Sequence, residues 1–208
     1  VSLQSLAIAL GAMIGPLLVG ISIDYQGHVR TFLYLALIVA ASCIAWIGCR
    51  RVIPHSLRTA KPDTGSGVFS LLAQPSLRRV IIASGLVVAA IDLYMFYTPI
   101  YGHAIGLSAT MIGVVLGAHA AATFVVRATL PLLVRRWGED ALMTVSMLLA
   151  GATFLLFPFV EQVGLLLVLS FVLGLGLGVG QPLSVIMTYN RAPAGRAGEA
   201  LGLRFSLV

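Results

Sequence analysis

The sequence predicts an all-α polytopic membrane protein: a helical bundle of six complete transmembrane helices plus the start of a seventh. Three observations point there. Of 208 residues, 59% are apolar and 10% charged, against roughly 45–50% and 25% in an ordinary soluble domain. The mean hydropathy is +1.03, more apolar surface than one packed interior can hide from water. The apolar residues also gather in stretches near the roughly 20 residues that cross a bilayer, and the connections between them alternate in charge.

The stretches run over residues 3–23, 31–49, 80–101, 110–134, 141–159 and 164–188, and another begins near Ala200. None shows sustained two-residue alternation, and barrel strands would be about half as long. The longest polar connection, R-R-V-I-P-H-S-L-R-T-A-K-P-D-T-G-S-G, has the composition of a linker. It divides the chain into 1–50, a linker over 51–78, and 79–208. Within it, V-F-S-L-L-A-Q-P-S-L over 68–77 is apolar but too short to span, which predicts an interfacial helix. The chain starts at Val1 without a signal pattern and stops at Val208 within an apolar run, so it is expected to be an internal piece of a longer protein.

Charge gives the topology. The net charge is +6. Arg50, Arg51, Arg58, Lys61, Arg78 and Arg79 lie in one connection, Arg135 and Arg136 in a second, and Arg191 and Arg196 in a third. The alternate connections hold Arg30 alone. The positive-inside rule then puts the three basic loops in the cytoplasm, and no nucleic-acid partner is expected. Cys43 and Cys49 stand about 9 Å apart along a helix axis, too far for an unstrained disulfide.

Ionisable groups inside spans are expensive to keep and so are the first functional candidates. Asp92 lies about 21 Å along its helix from Arg78, and His119 about 24 Å from Arg135, so both fall near the midplane. A structural hydrogen bond and a proton or substrate site are the two roles open to Asp92. His119, Thr123 and Arg127, at i, i+4 and i+8, make one polar stripe that should face a cavity or another helix. Arg127 could also snorkel or clasp a loop, and Arg204 is similar. Tyr94, Tyr97 and Tyr101 could line a substrate path, or the outer ones could belong to an interfacial aromatic belt. Gln181 and Pro182 are expected to break their helix beside Ser184 and Thr188, where backbone would line a cavity. Gly174 to Gly180, G-L-G-L-G-V-G, has neither the preceding strand nor the spacing of a phosphate loop. Its overlapping G-x-x-x-G pairs predict close helix packing. No H-E-x-x-H, carboxylate cluster or nucleophilic triad is present, so no enzyme activity, metal or cofactor is expected.

In the first span Gly11, Gly15, Pro16 and Gly20 form G-A-M-I-G-P-L-L-V-G, which continues through I-S-I-D-Y-Q-G-H-V-R. This resembles the fifth-to-sixth helix region of the major facilitator superfamily, in which a Gly-Pro motif marks many proton-driven antiporters. Q-P-S-L-R-R is similar to the lead into helix seven. R-A-T-L-P-L-L-V-R-R-W-G-E-D resembles the gating motif between helices eight and nine, with Arg135, Arg136 and Gly138 in it and with Pro131 and Arg135 where that motif has Gly and Asp. N-R-A-P-A-G-R-A-G-E-A-L-G-L-R is similar to the tenth-to-eleventh connection.

The resemblance implies a partial bundle of that superfamily. Residues 1–50 would be the last two helices of the N-terminal bundle, and 79–208 helices seven to the start of eleven. It implies a secondary active transporter in a bacterial-type cytoplasmic membrane, moving a small molecule by alternating access. The proton gradient would drive it, export is favoured over import, and a monomer is expected. The alternative is a non-transporting sensor or receptor on the same scaffold.

Overall fold

The computed structural model describes residues 3–49, 71–193 and 195–207. Six α-helices follow in order: α1 (Leu3–Cys49), α2 (Pro75–Ala104), α3 (Ala109–Trp137), α4 (Glu139–Leu156), α5 (Val163–Arg191) and α6 (Ala197–Leu207). A short 3-10 turn, Phe157–Phe159, extends α4. No strand occurs among the described residues. Five helices, α1 to α5, are long and apolar enough to cross a membrane.

The first helix is folded in two. Gly27 has φ 78 and ψ 169, a non-helical conformation open to a residue without Cβ. Residues nine apart on a straight helix stand about 13 Å apart along its axis, yet the Ser22 and Thr31 hydroxyls are 2.9 Å apart. The chain therefore turns back at Gly27. Thr31 Oγ1 also donates to the Gly27 carbonyl at 3.0 Å, which ties down the start of the second arm. Residues 24–30, expected as a loop, shrink to a one-residue reversal.

Glycine and proline punctuate the remaining boundaries. Pro75 starts α2, where its missing N–H is harmless. Ser108 caps α3 by accepting from the Met111 N–H at 3.3 Å. Gly138, at φ 78 and ψ 163, both ends α3 and precedes α4, so this connection is a single residue. Most of the expected linker, residues 51–70, lies outside the described residues. The interfacial helix expected over 68–77 is corrected where it can be seen. Leu71–Gln74 is a turn closed by Gln74 N–H on the Leu71 carbonyl at 3.2 Å, and Pro75–Leu77 opens α2. Leu71 and Leu77 are buried against Ala200 and Leu203 of α6, so their apolar character serves packing between helices.

At the centre stands α5. Half of its most apolar window is buried, against 6% for α1. Its glycines make this possible. Cβ atoms built at Gly174 would strike the His119 carbonyl of α3, and at Gly178 would fall 2.9 Å from Thr123 Cα. Gly176 meets the Ser146 carbonyl of α4 at 3.0 Å, and Gly180 meets the Val87 side chain of α2 at 2.6 Å. One apolar core lies at the end carrying Arg135 and Arg191, with Val87, Val126, Leu142, Leu183 and Met187 in it. A second, around Tyr94, Val115, Phe157 and Leu173, lies toward the opposite end. Outward-facing Phe96, Leu148 and Leu155 are among many exposed large apolar side chains, as a lipid solvent permits.

The break expected at Gln181 and Pro182 is absent. The helix runs unbroken from Val163 to Arg191 with Pro182 inside it. Pro182 costs the helix its bond to the Gly178 carbonyl, and the neighbours packed closely at Gly176, Gly178 and Gly180 hold this stretch in place.

Two glycine substitutions test this packing. Gly174→Ala should force α3 and α5 apart and destabilise by about 1–3 kcal/mol. Gly151→Ala, where a Cβ meets nothing within 4 Å, should be neutral or stabilising by up to about 1 kcal/mol. Thermal unfolding of the two variants in detergent distinguishes them.

Candidate functional site

The polar stripe on α3 faces α5. His119, Thr123 and Arg127 stand about one helical turn apart, and each touches the central helix. The His119 carbonyl abuts Gly174, the Thr123 hydroxyl donates to the Gly174 carbonyl at 3.4 Å, and Arg127 Nη2 donates to Gln181 Oε1 at 3.3 Å. Of the two destinations open to the stripe, a cavity or another helix, it has the second.

Around Gln181 this contact becomes a polar layer. Arg204 of α6, buried to 3% exposure, donates to Ser184 Oγ at 2.8 Å and stacks its guanidinium 5.0 Å from the Phe205 ring centroid. Arg127 and Arg204 thus approach one turn of α5 from two helices, each with a buried Nε that has no hydrogen-bond partner. Among the described residues neither is in a salt bridge. A guanidinium held by neutral oxygens keeps the layer cationic.

His119 is buried on the other side of the stripe. Its ring stacks on Tyr94 with centroids 4.5 Å apart and planes at 27°, and its Nδ1 is buried without a partner. Tyr94 is itself 1% exposed, donates to the Val115 carbonyl at 3.4 Å, and meets Phe157 edge-on at 6.0 Å. Tyr97 and Tyr101 stack at 6.1 Å; Tyr101 donates to the Val160 carbonyl at 3.2 Å, whereas Tyr97 is exposed. The three tyrosines line a 230 Å³ cleft with Phe154 and Phe157, so Tyr94 is its floor.

Asp92 stands apart from His119. Two residues advance about 200° around a helix, so Asp92 lies across α2 from Tyr94, the residue that His119 stacks on. It is exposed, on the face of α2 that carries Leu93 and Phe96. The polar stripe and the carboxylate therefore do not form one cluster.

The motif residues divide as well. Gly20 sits against the Ala109 carbonyl of α3, and the Pro16 carbonyl lies 2.5 Å from a Cβ built at Gly113. Gly11 and Gly15 meet nothing within 4 Å. Gly113 and Gly117, the bare positions on α3 that receive α1, were not singled out in the sequence, although their four-residue spacing is the same small-residue signal. Arg135 and Arg136 are exposed in the last turn of α3. The clamp at that end is made elsewhere: Arg191 of α5 pairs with Asp140 at 2.5 Å, and Asn190 donates to Glu139 at 2.7 Å. A 460 Å³ cavity lined by Ser76, Arg79, Asp140 and Arg191 opens beside it. No group of three or more His, Cys, Asp or Glu suited to a metal occurs among the described residues.

The Arg127–Gln181 contact can be weighed by a double-mutant cycle with Arg127→Leu and Gln181→Leu. A coupling near 0.6 kcal/mol in thermal unfolding is expected, about the mean for hydrogen bonds between membrane helices.

No curated protein matches the chain. The family model of the Major Facilitator Superfamily matches residues 1–208, the whole of it. With its all-helical fold, its spans of membrane-crossing length and its outward apolar surface, the chain belongs to the Major Facilitator Superfamily of membrane transporters.

Proposed function

We propose that the chain is part of a secondary active transporter that moves a small molecule across a cytoplasmic membrane by alternating access. The proton gradient drives it, export is the favoured direction, and it works as a monomer. In this reading the two arms of α1 are separate spans, which with α2 to α5 makes six, and α6 starts a seventh. Residues 1–50 close an N-terminal bundle, 51–78 link the halves in the cytoplasm, and 79–208 belong to the C-terminal bundle.

One observation carries the reading. Helix α1 packs extensively on α3 and on none of the other helices to a comparable degree, and backbones approach closely within that contact at Gly20 and Gly113. Two bodies that meet with no buried charge between them can part without stranding a charged group, as alternating access requires. The helices around α5 are knit by hydrogen bonds and would move as a unit.

Asp92 is the proposed proton site, since a carboxylate in mid-span is expensive to keep and the described helices leave its face of α2 uncovered. His119 and Tyr94 lie behind the cleft that would receive substrate, with Tyr97 and Tyr101 at its rim. Arg127 and Gln181 contribute polar contacts from the other side of α5, and Arg135, Arg136 and Gly138 form the cytoplasmic turn.

Two experiments test this. Single cysteines at Gly138 and Gly195 should resist an impermeant thiol reagent in intact cells, and cysteines at Ser108 and Gln162 should react; the reverse pattern overturns the topology. Asp92→Asn in the full-length protein should abolish proton-driven accumulation while leaving substrate binding measurable. Full accumulation with an unchanged pH profile removes Asp92 from coupling.

A further inference from the structure

The turn of α1 carries a second carboxylate, outside the polar stripe and the motifs. Asp24 Oδ1 accepts from the Ala109 N–H at 3.0 Å and Oδ2 from the Thr110 N–H at 2.7 Å. These are the first two donors of α3, which have no partner within their own helix. Ser108 satisfies the next donor, that of Met111. The local cap thus leaves a vacancy that a residue from the other body fills, with a charge at the positive end of the helix.

The contact is singular in kind. Among the described residues, the hydrogen bonds that join α1 to the start of α3 gather on Asp24, which takes the two backbone donors and also the Thr110 and Ser108 side chains. Below it the seam is van der Waals contact alone, from Gly20 on Ala109 and Gly113 on Pro16 to Gly117, 3.4 Å from the Met13 carbonyl. Asp24 is also held in place beforehand, three residues before the Gly27 reversal that the Ser22 and Thr31 hydroxyls brace. Beside the contact lies a 560 Å³ cleft lined by Val19, His28, Pro99, His103 and Leu116. The space between the two bodies therefore reaches past the clasp.

We infer that Asp24 is a positioning residue of the transport cycle: a latch that holds the two bodies together at the end opposite the basic loops and must let go for that end to open. The inference rests on the alternating-access reading. The latch suits this task because it is exposed, so water can replace its hydrogen bonds when the ends part. A buried carboxylate would be stranded by the same movement. A seam without polar ties does not lock; the cluster of charge-assisted bonds on Asp24 at its end supplies the lock.

The test uses the full-length protein with Cys43 and Cys49 replaced and one reporter cysteine at a time. Leu116→Cys reports on the cleft beside the latch. Phe124→Cys, on nearly the same face of α3 as Gly113 and about three turns nearer the basic end, reports on the other side. Asp24→Ala should raise impermeant-thiol labelling of Leu116→Cys about threefold or more and lower that of Phe124→Cys, a shift of population between two states. Asp24→Asn, which keeps an acceptor but not the charge, should fall between. Asp140→Ala, which cuts the clamp at the basic end, should not raise labelling of Leu116→Cys. Unchanged rates in Asp24→Ala overturn the latch, and so does a rise at both reporters, which would mean a loosened fold. In protein with Asp24 intact, an imposed proton gradient should move the two rates in opposite directions; failure there overturns the transport reading itself and is separate from either result at Asp24.

Discussion

Everything in this bundle depends on how closely α5 can be approached. Four glycines in alternate positions, from Gly174 to Gly180, let the backbones of α3 and α4 and the Val87 side chain of α2 come close against it. In lipid, burying apolar side chains gains little, since the solvent is as apolar as leucine. What remains is dispersion between surfaces in close contact, and hydrogen bonds that would otherwise go unmade. Removing Cβ atoms from the central helix increases the first and brings the second within reach. Thr123 can donate to the Gly174 carbonyl because no side chain stands between them.

The same chemistry treats the two ends differently. Where the basic loops lie, α4 and α5 are tied by side chains across one small unit: Asp140 with Arg191 and Glu139 with Asn190. At the opposite end the tie runs from α1 to the backbone of α3 through Asp24. The first fastens helices already packed along their length. The second fastens α1 to α3, which no other side chain ties among the described residues.

Much of this was legible in the sequence, and the exceptions have physical causes. Span positions followed from run lengths, because a bilayer sets helix length more strictly than a soluble core does. The stripe at His119, Thr123 and Arg127 was legible as one face, since helical spacing fixes direction, but its partner was not, because spacing says nothing about neighbours. Pro182 misled because a proline breaks a helix when the freed groups lack support, and here α5 is supported on three sides. The segment around Leu71 reads as interfacial because it is apolar and too short to span, whereas its leucines find cover under α6. Asp24 passed unnoticed because a carboxylate at the end of a span looks like ordinary solvated charge until the helix that it caps, 85 residues away in sequence, is in view.

The buried arginines sharpen the contrast between fixed and movable parts. Arg127 and Arg204 reach α5 within one turn of each other, from α3 and from α6, and neutral oxygens receive both. Moving either helix away from α5 would leave a guanidinium in low dielectric without those oxygens, a cost of several kcal/mol by any account of buried charge. Motion between α3, α5 and α6 is therefore resisted at mid-bundle by charge as well as by close packing. No such penalty stands along the seam of α1 and α3, where Pro16, Gly20, Gly113 and Gly117 meet without a buried polar side chain between them. The costly groups stand where α3, α5 and α6 meet, and the seam of α1 and α3 is left without them.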